Sequence, residues 1–535
     1  MSLGRTRSVA LHGVDGAVVD VEADVAQGLP WFTITGMPDP ACAQSRDRVK
    51  AAAANSGVPI PNRRLTINLS PASLPKSGAG FDLPIAVAVL AAAGVIPMPA
   101  IDRVVHLGEL SLDGSIRAVR GVLPAVLAAV RDGFTDVVVP VPNAAEARLV
   151  PGAQVHAAST LGDLVAHYCG HPPRGSDAAG SAPFDNSSGF GDGSGQSDGS
   201  GQAVPEPRLD GAASDVPDLV DVVGQDEARL ALEVAAAGRH HLLMVGPPGA
   251  GKTMLAERLP GLLPALSRDQ AIEVTAIHSV LGLLPAADAL IRLAPFVAPH
   301  HGASMPAIIG GGSGVARPGA ISRAHHGVLF LDESPEFKRT VLDALRQPIE
   351  TGEVVVARAA GVVRYPSRFQ LVLAANPCPC GRGFGKGADC SCSPKARRDY
   401  LGRLSDPLRD RVDLQLAVHA VSRVALAGPR GETSAVVAAR VAEARQVQRQ
   451  RLTGTSWRVN GDVPGAALRN GPLRLPAQVT TDLDRAMDRG MLTLRAYDRV
   501  LRLAWTVSDL RTAAAPTRAD VGIALSLRVQ SGVAA

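Results

Sequence analysis

A glycine-rich loop that ends in a lysine and a threonine is the stretch of this 535-residue chain best suited to chemistry. The loop comprises Gly246, Pro247, Pro248, Gly249, Ala250, Gly251, Lys252 and Thr253. An apolar run precedes it and a helical pattern follows it, and this context separates a phosphate-binding loop from a chance Gly/Pro turn. Backbone N–H groups of such a loop surround phosphates, Lys252 would neutralise the β- and γ-phosphates, and the Thr253 hydroxyl would ligate Mg²⁺. The sequence therefore predicts a site for ATP and Mg²⁺.

Two carboxylates and an amide follow two further apolar runs. Asp332 and Glu333 come directly after 327–331, and Asn376 comes directly after 371–375. Carboxyl ends of parallel strands meet at the edge of an α/β sheet where ligands bind. We therefore expect Asp332 to hold Mg²⁺ through water, Glu333 to polarise the attacking water, and Asn376 to sense the γ-phosphate. Alone, the first run is typical of an ordinary strand with an acidic turn, but the upstream loop favours the catalytic interpretation.

Four of the six cysteines are clustered shortly after Asn376. They are Cys378, Cys380, Cys390 and Cys392, two Cys-x-Cys pairs separated by nine residues. Four thiolates suit a tetrahedral Zn²⁺ site, although Cys-x₂-Cys spacing is more usual. Zinc and four reduced thiols therefore remain alternatives.

Hydrophobic periodicity divides the chain into three structured parts and one linker, all in an α/β fold class. Residues 1–170 predict a compact α/β domain, with strands at 65–69, 104–107 and 136–140 and helices at 86–94 and 121–132. Residues 171–217 are rich in Ser, Gly, Asp and Pro and predict a disordered, flexible linker. The nucleotide motifs fall in 218–425, which predicts a parallel sheet, and 426–535 predicts a helical lid with helices at 434–451 and 493–510.

Two segments of the nucleotide-binding part are candidate contact arms. One is a glycine-rich excursion, 306–319, that carries Arg317, and the other is a β-hairpin between 354 and 365 that carries Arg358 and Arg364. Loops that project from a rigid scaffold are frequent contact sites.

Bulk composition limits the function classes. The formal net charge is only +4, so a nucleic-acid-binding surface would have to be local. The longest apolar stretch, 83–98, is too short to span a bilayer, and no secretory signal is recognisable at the N-terminus. Clustered cysteines suit a reducing compartment better than a disulfide framework. We expect a cytoplasmic protein without a membrane partner.

The N-terminal part resembles the peptidase domain of Lon proteases in two stretches, 75–84 and 108–114. The resemblance implies a Lon-like fold. The family hydrolyses peptides with a Ser-Lys dyad, but the corresponding positions here are Gly80 and Leu123. We therefore expect a scaffold, partner-binding or ring-building domain rather than a protease.

Taken together, the motifs resemble the YifB/ComM family of magnesium-chelatase-like AAA+ ATPases with an N-terminal Lon-like domain. The matching stretches are 298–301, 306–319, 324–333, 345–350, 376–381, 406–413 and 493–510. In this resemblance Arg411 is the arginine finger that reaches across a subunit boundary, and Arg495 is the lid arginine (sensor 2) that touches the γ-phosphate.

The resemblance implies a homo-oligomeric ring, expected to be a hexamer, that couples ATP hydrolysis to the movement of pore arms. It also implies a DNA substrate with helicase or branch-migration activity, contacted by Arg317, Arg358 and Arg364. The alternative is a chelatase-like or protein-remodelling ATPase that works with a separate substrate subunit.

Overall fold

The structure is a computed structural model. It describes residues 2–171, 216–284, 290–312, 316–358, 361–383, 390–421 and 423–528. The predicted linker lies outside the described residues except at its two ends. The same holds for the centre of the glycine-rich excursion, 313–315, and for the tip of the predicted hairpin, 359–360.

A mixed sheet of seven strands organises the N-terminal part. The strands of this part are β1 (Ser2–His12), β2 (Asp15–Ala26), β3 (Trp31–Thr35), β4 (Arg64–Ser70), β5 (Val105–His106), β6 (Glu109–Leu110), β7 (Ile116–Arg117), β8 (Asp136–Pro140) and β9 (Gln154–Ala158). Its helices are α1 (Pro40–Ala43), α2 (Ser45–Asn55), α3 (Asp82–Ala92), α4 (Val122–Arg131), α5 (Ala144–Ala147) and α6 (Leu161–Tyr168). The sheet order is β3-β4-β2-β1-β5-β8-β9, and β6 pairs separately with β7.

The predicted elements of this part are confirmed. Strand β4 buries Leu65, Ile67 and Leu69 on one face, as its alternating pattern indicates. Apart from Asp82 at its start, helix α3 is apolar all round, and all of its residues are buried, so the long apolar stretch contributes a core helix. No helix in the described parts of the chain combines the length and apolar character needed to cross a bilayer.

A five-stranded parallel sheet organises the nucleotide-binding part. The strands from here to residue 417 are β10 (Leu242–Val245), β11 (Phe296–Val297), β12 (Gly310–Gly311), β13 (Arg317–Pro318), β14 (Val328–Leu331), β15 (Glu353–Arg358), β16 (Gly361–Pro366), β17 (Gln370–Ala375) and β18 (Leu414–Ala417). The helices are α7 (Asp226–Gly238), α8 (Lys252–Arg258), α9 (Arg268–Leu281), α10 (Met305–Ile308), α11 (Ala320–Arg323), α12 (Arg339–Ala344), α13 (Arg346–Thr351), α14 (Pro394–Leu401), α15 (Asp406–Arg409) and α16 (Arg423–Leu426). The sheet order is β11-β14-β17-β10-β18, with every neighbouring pair parallel.

In the C-terminal part, the described residues form five α-helices. They are α17 (Ser434–Arg451), α18 (Gly465–Arg469), α19 (Ala477–Asp488), α20 (Leu494–Leu510) and α21 (Arg518–Arg528). The predicted helices at 434–451 and 493–510 are thus confirmed as α17 and α20. Helix α20 packs against the start of β10, where Thr506 Oγ1 lies 2.7 Å from His240 Nε2. It also contacts the start of β18, where Arg499 Nη1 lies 2.5 Å from Asp413 Oδ1.

Within the described residues, the N-terminal and nucleotide-binding parts contact each other at two places. Helix α4 packs on α9, where the Gly121 N–H donates to Ser279 O at 3.2 Å and the Ser279 hydroxyl donates to the buried carboxylate of Glu146. The turn between β1 and β2 meets the β15–β16 hairpin, where His12 Nε2 lies 3.0 Å from Val362 O. The two parts are therefore packed together as well as joined by the predicted linker.

Candidate nucleotide-binding site

The glycine-rich loop occupies the carboxyl end of β10, the second strand from one side of the parallel sheet. All four residues of β10 are buried, and α8 begins directly after the loop at Lys252. Gly249 and Gly251 have φ values of +75° and +88°, left-handed conformations that favour glycine. Gly246 is packed so tightly against the next strand that an added Cβ would lie 2.2 Å from Val418 O. The predicted strand–loop–helix arrangement is present.

Lys252 is directed back over the loop instead of into solvent. Its Nζ donates to Gly246 O at 2.8 Å, Pro247 O at 3.0 Å and Asn376 Oδ1 at 3.2 Å. Burial of the ammonium lowers the pKa of Lys252, and the nearby carboxylates of Asp332 and Glu333 oppose this shift. The structure therefore brings the lysine, the two predicted acidic residues and the predicted sensor Asn376 to one place.

Thr253 and Asp332 meet across the end of the sheet. The Thr253 hydroxyl donates to Asp332 Oδ2 at 2.7 Å. The meeting follows from strand register, because Leu331 pairs with Leu373 on β17 and β17 in turn pairs with β10. A hydroxyl and a carboxylate placed together in this way can share one hydrated Mg²⁺.

Glu333 is held in an unusual backbone conformation beside a histidine. Its φ of +47° is left-handed, which is uncommon for a residue other than glycine, and its N–H donates to Asp332 Oδ1 at 2.8 Å. Its carboxylate Oε2 lies 3.3 Å from His301 Nδ1. Sequence reasoning did not assign a role to His301, and only its place in the quoted 298–301 stretch pointed to it.

A buried glutamine links the loop to the segment before it. Gln225 Nε2 donates to Ala250 O at 2.7 Å and reaches His419 O at 3.4 Å. Two bonds then fasten this segment to the C-terminal part, Leu219 N to Ser434 Oγ at 2.7 Å and Ser434 N to Asp218 Oδ1 at 2.8 Å. A movement of the C-terminal helices would therefore displace the phosphate-binding loop through these hydrogen bonds.

Arg411 and Arg495 lie at the opposite edge of the sheet from the loop. The register pairs Leu242, the first residue of β10, with Leu414 of β18, so the residues just before Leu414 lie where the strands begin. Arg411 Nη2 lies 2.5 Å from Glu350 Oε1. Arg495 Nη1 lies 3.6 Å from Asp410 Oδ2, one residue before Arg411. The structure brings these two arginines together but does not bring them to the chain's own loop.

The two predicted arms lie side by side. The β12–β13 ladder contains Arg317, and the β15–β16 hairpin contains Arg358 and Arg364. The Arg358 guanidinium lies over Gly311, since an added Cβ there would be 2.6 Å from Arg358 Nη2. Arg317 and Arg358 are exposed, whereas Arg364 Nη1 forms an ion pair at 2.9 Å with Glu353 Oε1. All three predicted cations are thus on adjoining arms, and one of them, Arg364, is already paired with a carboxylate.

The four clustered cysteines gather immediately beyond Asn376. Cys378 is buried, Cys380 is exposed, and Cys390 and Cys392 are half-buried. Their four sulfur atoms lie within 4.8 Å of one another.

A second group with metal-ligand chemistry, Glu273 with His325 and His326, lies outside the predicted sites. Both histidine Nε2 atoms lie 2.9 Å from Glu273 Oε2. These hydrogen bonds lower the pKa of Glu273, and burial lowers that of His325 to about 4.

The strand order and this convergence of Lys252, Thr253, Asp332 and Asn376 define a P-loop protein of the AAA+ class with a helical C-terminal part. Family models agree over most of the chain. Residues 218–426 match the family described as magnesium chelatase, subunit ChlI, residues 21–143 match subunit ChlI of Mg-chelatase, and residues 431–528 match the ChlI C-terminal family.

Similar proteins extend over nearly the full length. The competence protein ComM of Haemophilus influenzae is 39% identical over 514 residues, 96% of this chain and 94% of that protein. The uncharacterised protein YifB of Escherichia coli is 37% identical over 532 residues, 99% and 97% of the two chains. An uncharacterised protein of Mycobacterium tuberculosis is 49% identical over 528 residues, 99% of each chain. The chain belongs to the YifB/ComM family of magnesium-chelatase-like proteins.

Proposed function

We propose that the chain is a Mg²⁺-dependent ATPase that works as a head-to-tail ring, of six subunits by the family resemblance, and moves DNA. The observation that carries the ATPase assignment is the meeting of Lys252, Asn376, Thr253 and Asp332 at the carboxyl end of the sheet. In this proposal Lys252 neutralises the β- and γ-phosphates, and Thr253 and Asp332 hold Mg²⁺. When bound there, Mg²⁺ would supply positive charge that offsets the charge of the phosphates.

Glu333 is the base that orients the attacking water, and Asn376 monitors the γ-phosphate from the end of the neighbouring strand. The left-handed backbone at Glu333 turns its side chain away from the strand direction, and His301 holds the carboxylate at 3.3 Å. Such a contact fixes the position of Glu333 and lets a change at His301 alter hydrolysis without altering nucleotide affinity.

Arg411 and Arg495 complete the site of the neighbouring subunit. Their position at the opposite edge of the sheet supports this assignment, because a head-to-tail ring presents that edge to the next loop. Each cation would offset the charge that develops on the γ-phosphate. Arg495 thus acts between subunits, not as a lid residue over its own nucleotide.

DNA is the proposed substrate because ComM is a competence protein and because two exposed arginines stand on adjoining arms. Repetition of Arg317 and Arg358 around a ring would give salt-sensitive phosphate contacts without a strongly basic chain. The N-terminal part, which lacks a Ser-Lys dyad at Gly80 and Leu123, would be a Lon-like partner-binding domain. A cytoplasmic location is part of this proposal, and a metal at the cysteine cluster is independent of it.

A second candidate is a chelatase-like or protein-remodelling motor with a separate substrate subunit, favoured by the three ChlI family matches. The two candidates share the ATP site and differ in what stimulates it.

The test is the ATPase rate with single-stranded, double-stranded and branched DNA over a salt series. We expect stimulation by DNA that declines with salt, and Glu333→Gln should bind nucleotide but lose roughly 10²–10⁴-fold in rate. Lys252→Ala should lose nucleotide binding itself. Ring-forming protein whose activity is indifferent to every DNA would contradict the DNA assignment and favour the second candidate.

A further inference from the structure

The cysteine cluster has the dimensions of a metal centre. Cys378 Sγ lies 3.4 Å from Cys380 Sγ and 3.7 Å from Cys390 Sγ, and the latter two are 3.6 Å apart. A regular tetrahedron of thiolates at about 2.3 Å from a zinc ion requires S···S edges of about 3.75 Å. A disulfide would instead require about 2.05 Å. The spacing therefore suits four ligands around one ion and not two covalent pairs.

The backbone around the cluster is also arranged as in a metal-binding turn. The Gly383 N–H donates to Cys378 Sγ at 3.2 Å, a bond that stabilises a thiolate and orients its lone pairs. Gly381 adopts a φ of +75°, a left-handed conformation that turns the chain back after the first Cys-x-Cys pair. Both features arise in the short segment that holds the first two sulfur atoms.

The Glu273 group provides an internal comparison and is not suited to a metal ion. The N–H of Arg368 donates to His325 Nδ1 at 3.0 Å, so the neutral imidazole carries its proton on Nε2. That Nε2 is the atom that faces Glu273. Binding a cation there would require loss of that proton or of the backbone bond, so this group is a hydrogen-bonded cluster.

We propose that Cys378, Cys380, Cys390 and Cys392 bind one structural Zn²⁺ ion per chain. Four thiolates leave no open coordination position, so the ion has a structural and not a catalytic role. Binding requires deprotonation of the thiols and would release protons to solvent. Of the other two cysteines, Cys42 lies in the core of the N-terminal part and Cys169 packs against that core, so neither is a ligand.

The metal would brace the nucleotide site from behind the predicted sensor. The turn at Gly381 packs against the phosphate-binding loop, since an added Cβ would lie 2.6 Å from Pro248 Cγ. The same segment begins at Asn376, which accepts from Lys252 at 3.2 Å. A closed metal centre would therefore hold the loop and the sensor at a fixed separation. This bracing, unlike the metal assignment, rests on the proposed ATP site.

Metal content of the full-length protein tests the assignment. We expect about one zinc per chain by elemental analysis after purification without chelator. Cys380→Ser and Cys392→Ser should each lose most of it, whereas Cys169→Ser should retain it as a matched cysteine control. Protein grown with added zinc that carries no stoichiometric metal, or variants that retain it undiminished, would overturn the proposal.

Two measurements keep the test sharp if a variant fails to fold. Wild-type protein loaded with Co²⁺ should show thiolate-to-metal charge-transfer bands, and Cys392→His should keep the metal with a shifted spectrum. A thiol reagent should release zinc from the native protein as four thiols react. The absence of charge-transfer bands in cobalt-loaded protein would contradict the ligand set.

Nucleotide binding separates the bracing from the proposed ATPase. Zinc-free protein should bind a fluorescent ATP analogue more weakly than zinc-loaded protein does. Equal affinities would refute the bracing and leave the metal site intact. Failure of zinc-loaded wild-type protein to bind the analogue would refute the proposed ATP site instead.

Discussion

The placement of Arg411 predicts that two inactive variants restore each other. Strand β10 has four residues, so its ends are about 10 Å apart at about 3.3 Å per residue. Arg411 comes shortly before Leu414, which pairs with Leu242, the first residue of β10. The phosphate-binding loop instead follows the last residue of β10. In the proposed ring, each working site would therefore combine a loop from one subunit with an arginine edge from the next. We expect Lys252→Ala and Arg411→Ala to be inactive alone and active when mixed.

Counting gives the size of the effect. In an equal, random mixture, about one half of the loops and about one half of the arginine edges are intact. A head-to-tail junction therefore combines an intact loop with an intact arginine edge in about a quarter of cases, whatever the ring size. Each variant alone should be lower than wild type by about 10³-fold or more. The mixture should therefore recover about a quarter of the wild-type ATPase rate if junctions work independently.

The assay is steady-state ATP hydrolysis after subunit exchange, with mixed assembly verified by co-purification through a tag on one variant. Arg409→Ala is a matched control, because Arg409 is also in this segment and forms an ion pair with Asp406 at 3.8 Å, a residue of its own helix α15. It should be active before mixing. A verified mixed assembly with no more activity than the average of its two separate components would refute the assignment. Arg495→Ala should complement Lys252→Ala in the same way.

Three further predictions follow from contacts elsewhere in the chain. Burial lowers the pKa of His106 from 6.5 to about 3, so the folded state resists a proton that the unfolded chain accepts. Stability should therefore be full above pH 6.5 and should fall as the pH drops towards 3. Thermal unfolding of His106→Gln should show a shallower pH dependence. Glu146→Ala removes the acceptor of the Leu123 N–H and the Ser279 hydroxyl. It should lower the free energy of unfolding by about 1–3 kcal/mol. Glu443 is exposed, so Glu443→Ala should leave the free energy of unfolding unchanged. Arg317→Ala and Arg358→Ala should each reduce the slope of log affinity for DNA against log salt by about 0.9 per lost contact. Arg364→Ala should reduce this slope less, because Glu353 already pairs with Arg364. Equal slopes for all three variants in filter binding would contradict the arm assignment.

The central site was predictable because local rules specify it. Buried runs followed by Gly246, Asp332 and Asn376 place those residues at the ends of parallel strands, and parallel strands align their carboxyl ends. His301 was not predictable as the partner of Glu333, because no sequence spacing fixes which residue of a long connection returns to that position.

Two other features depend on long-range packing. The pattern around Arg495 predicts a helix, but contacts such as Thr506 with His240 decide which edge of the sheet that helix covers. Strand β1 escaped sequence analysis because two of its buried residues, Thr6 and Ser8, are polar. Their hydroxyls donate to Val104 O and His106 O, so hydrogen bonds to the neighbouring chain segment replace the apolar alternation that would have revealed the strand.

The contact between the β1–β2 turn and the β15–β16 hairpin gives the molecule a mechanical route that bypasses the nucleotide. His12 touches Val362, an added Cβ at Gly13 would lie 2.5 Å from Val363 Cγ1, and the same hairpin adjoins Gly310 and Gly311 of the first arm. The β1–β2 end of the N-terminal sheet therefore packs directly against the hairpin and limits its movement in that direction. A ligand that tilts this sheet would therefore shift the positions of both arms. Conversely, a displacement of the arms would change the position of the sheet and so the affinity for that ligand.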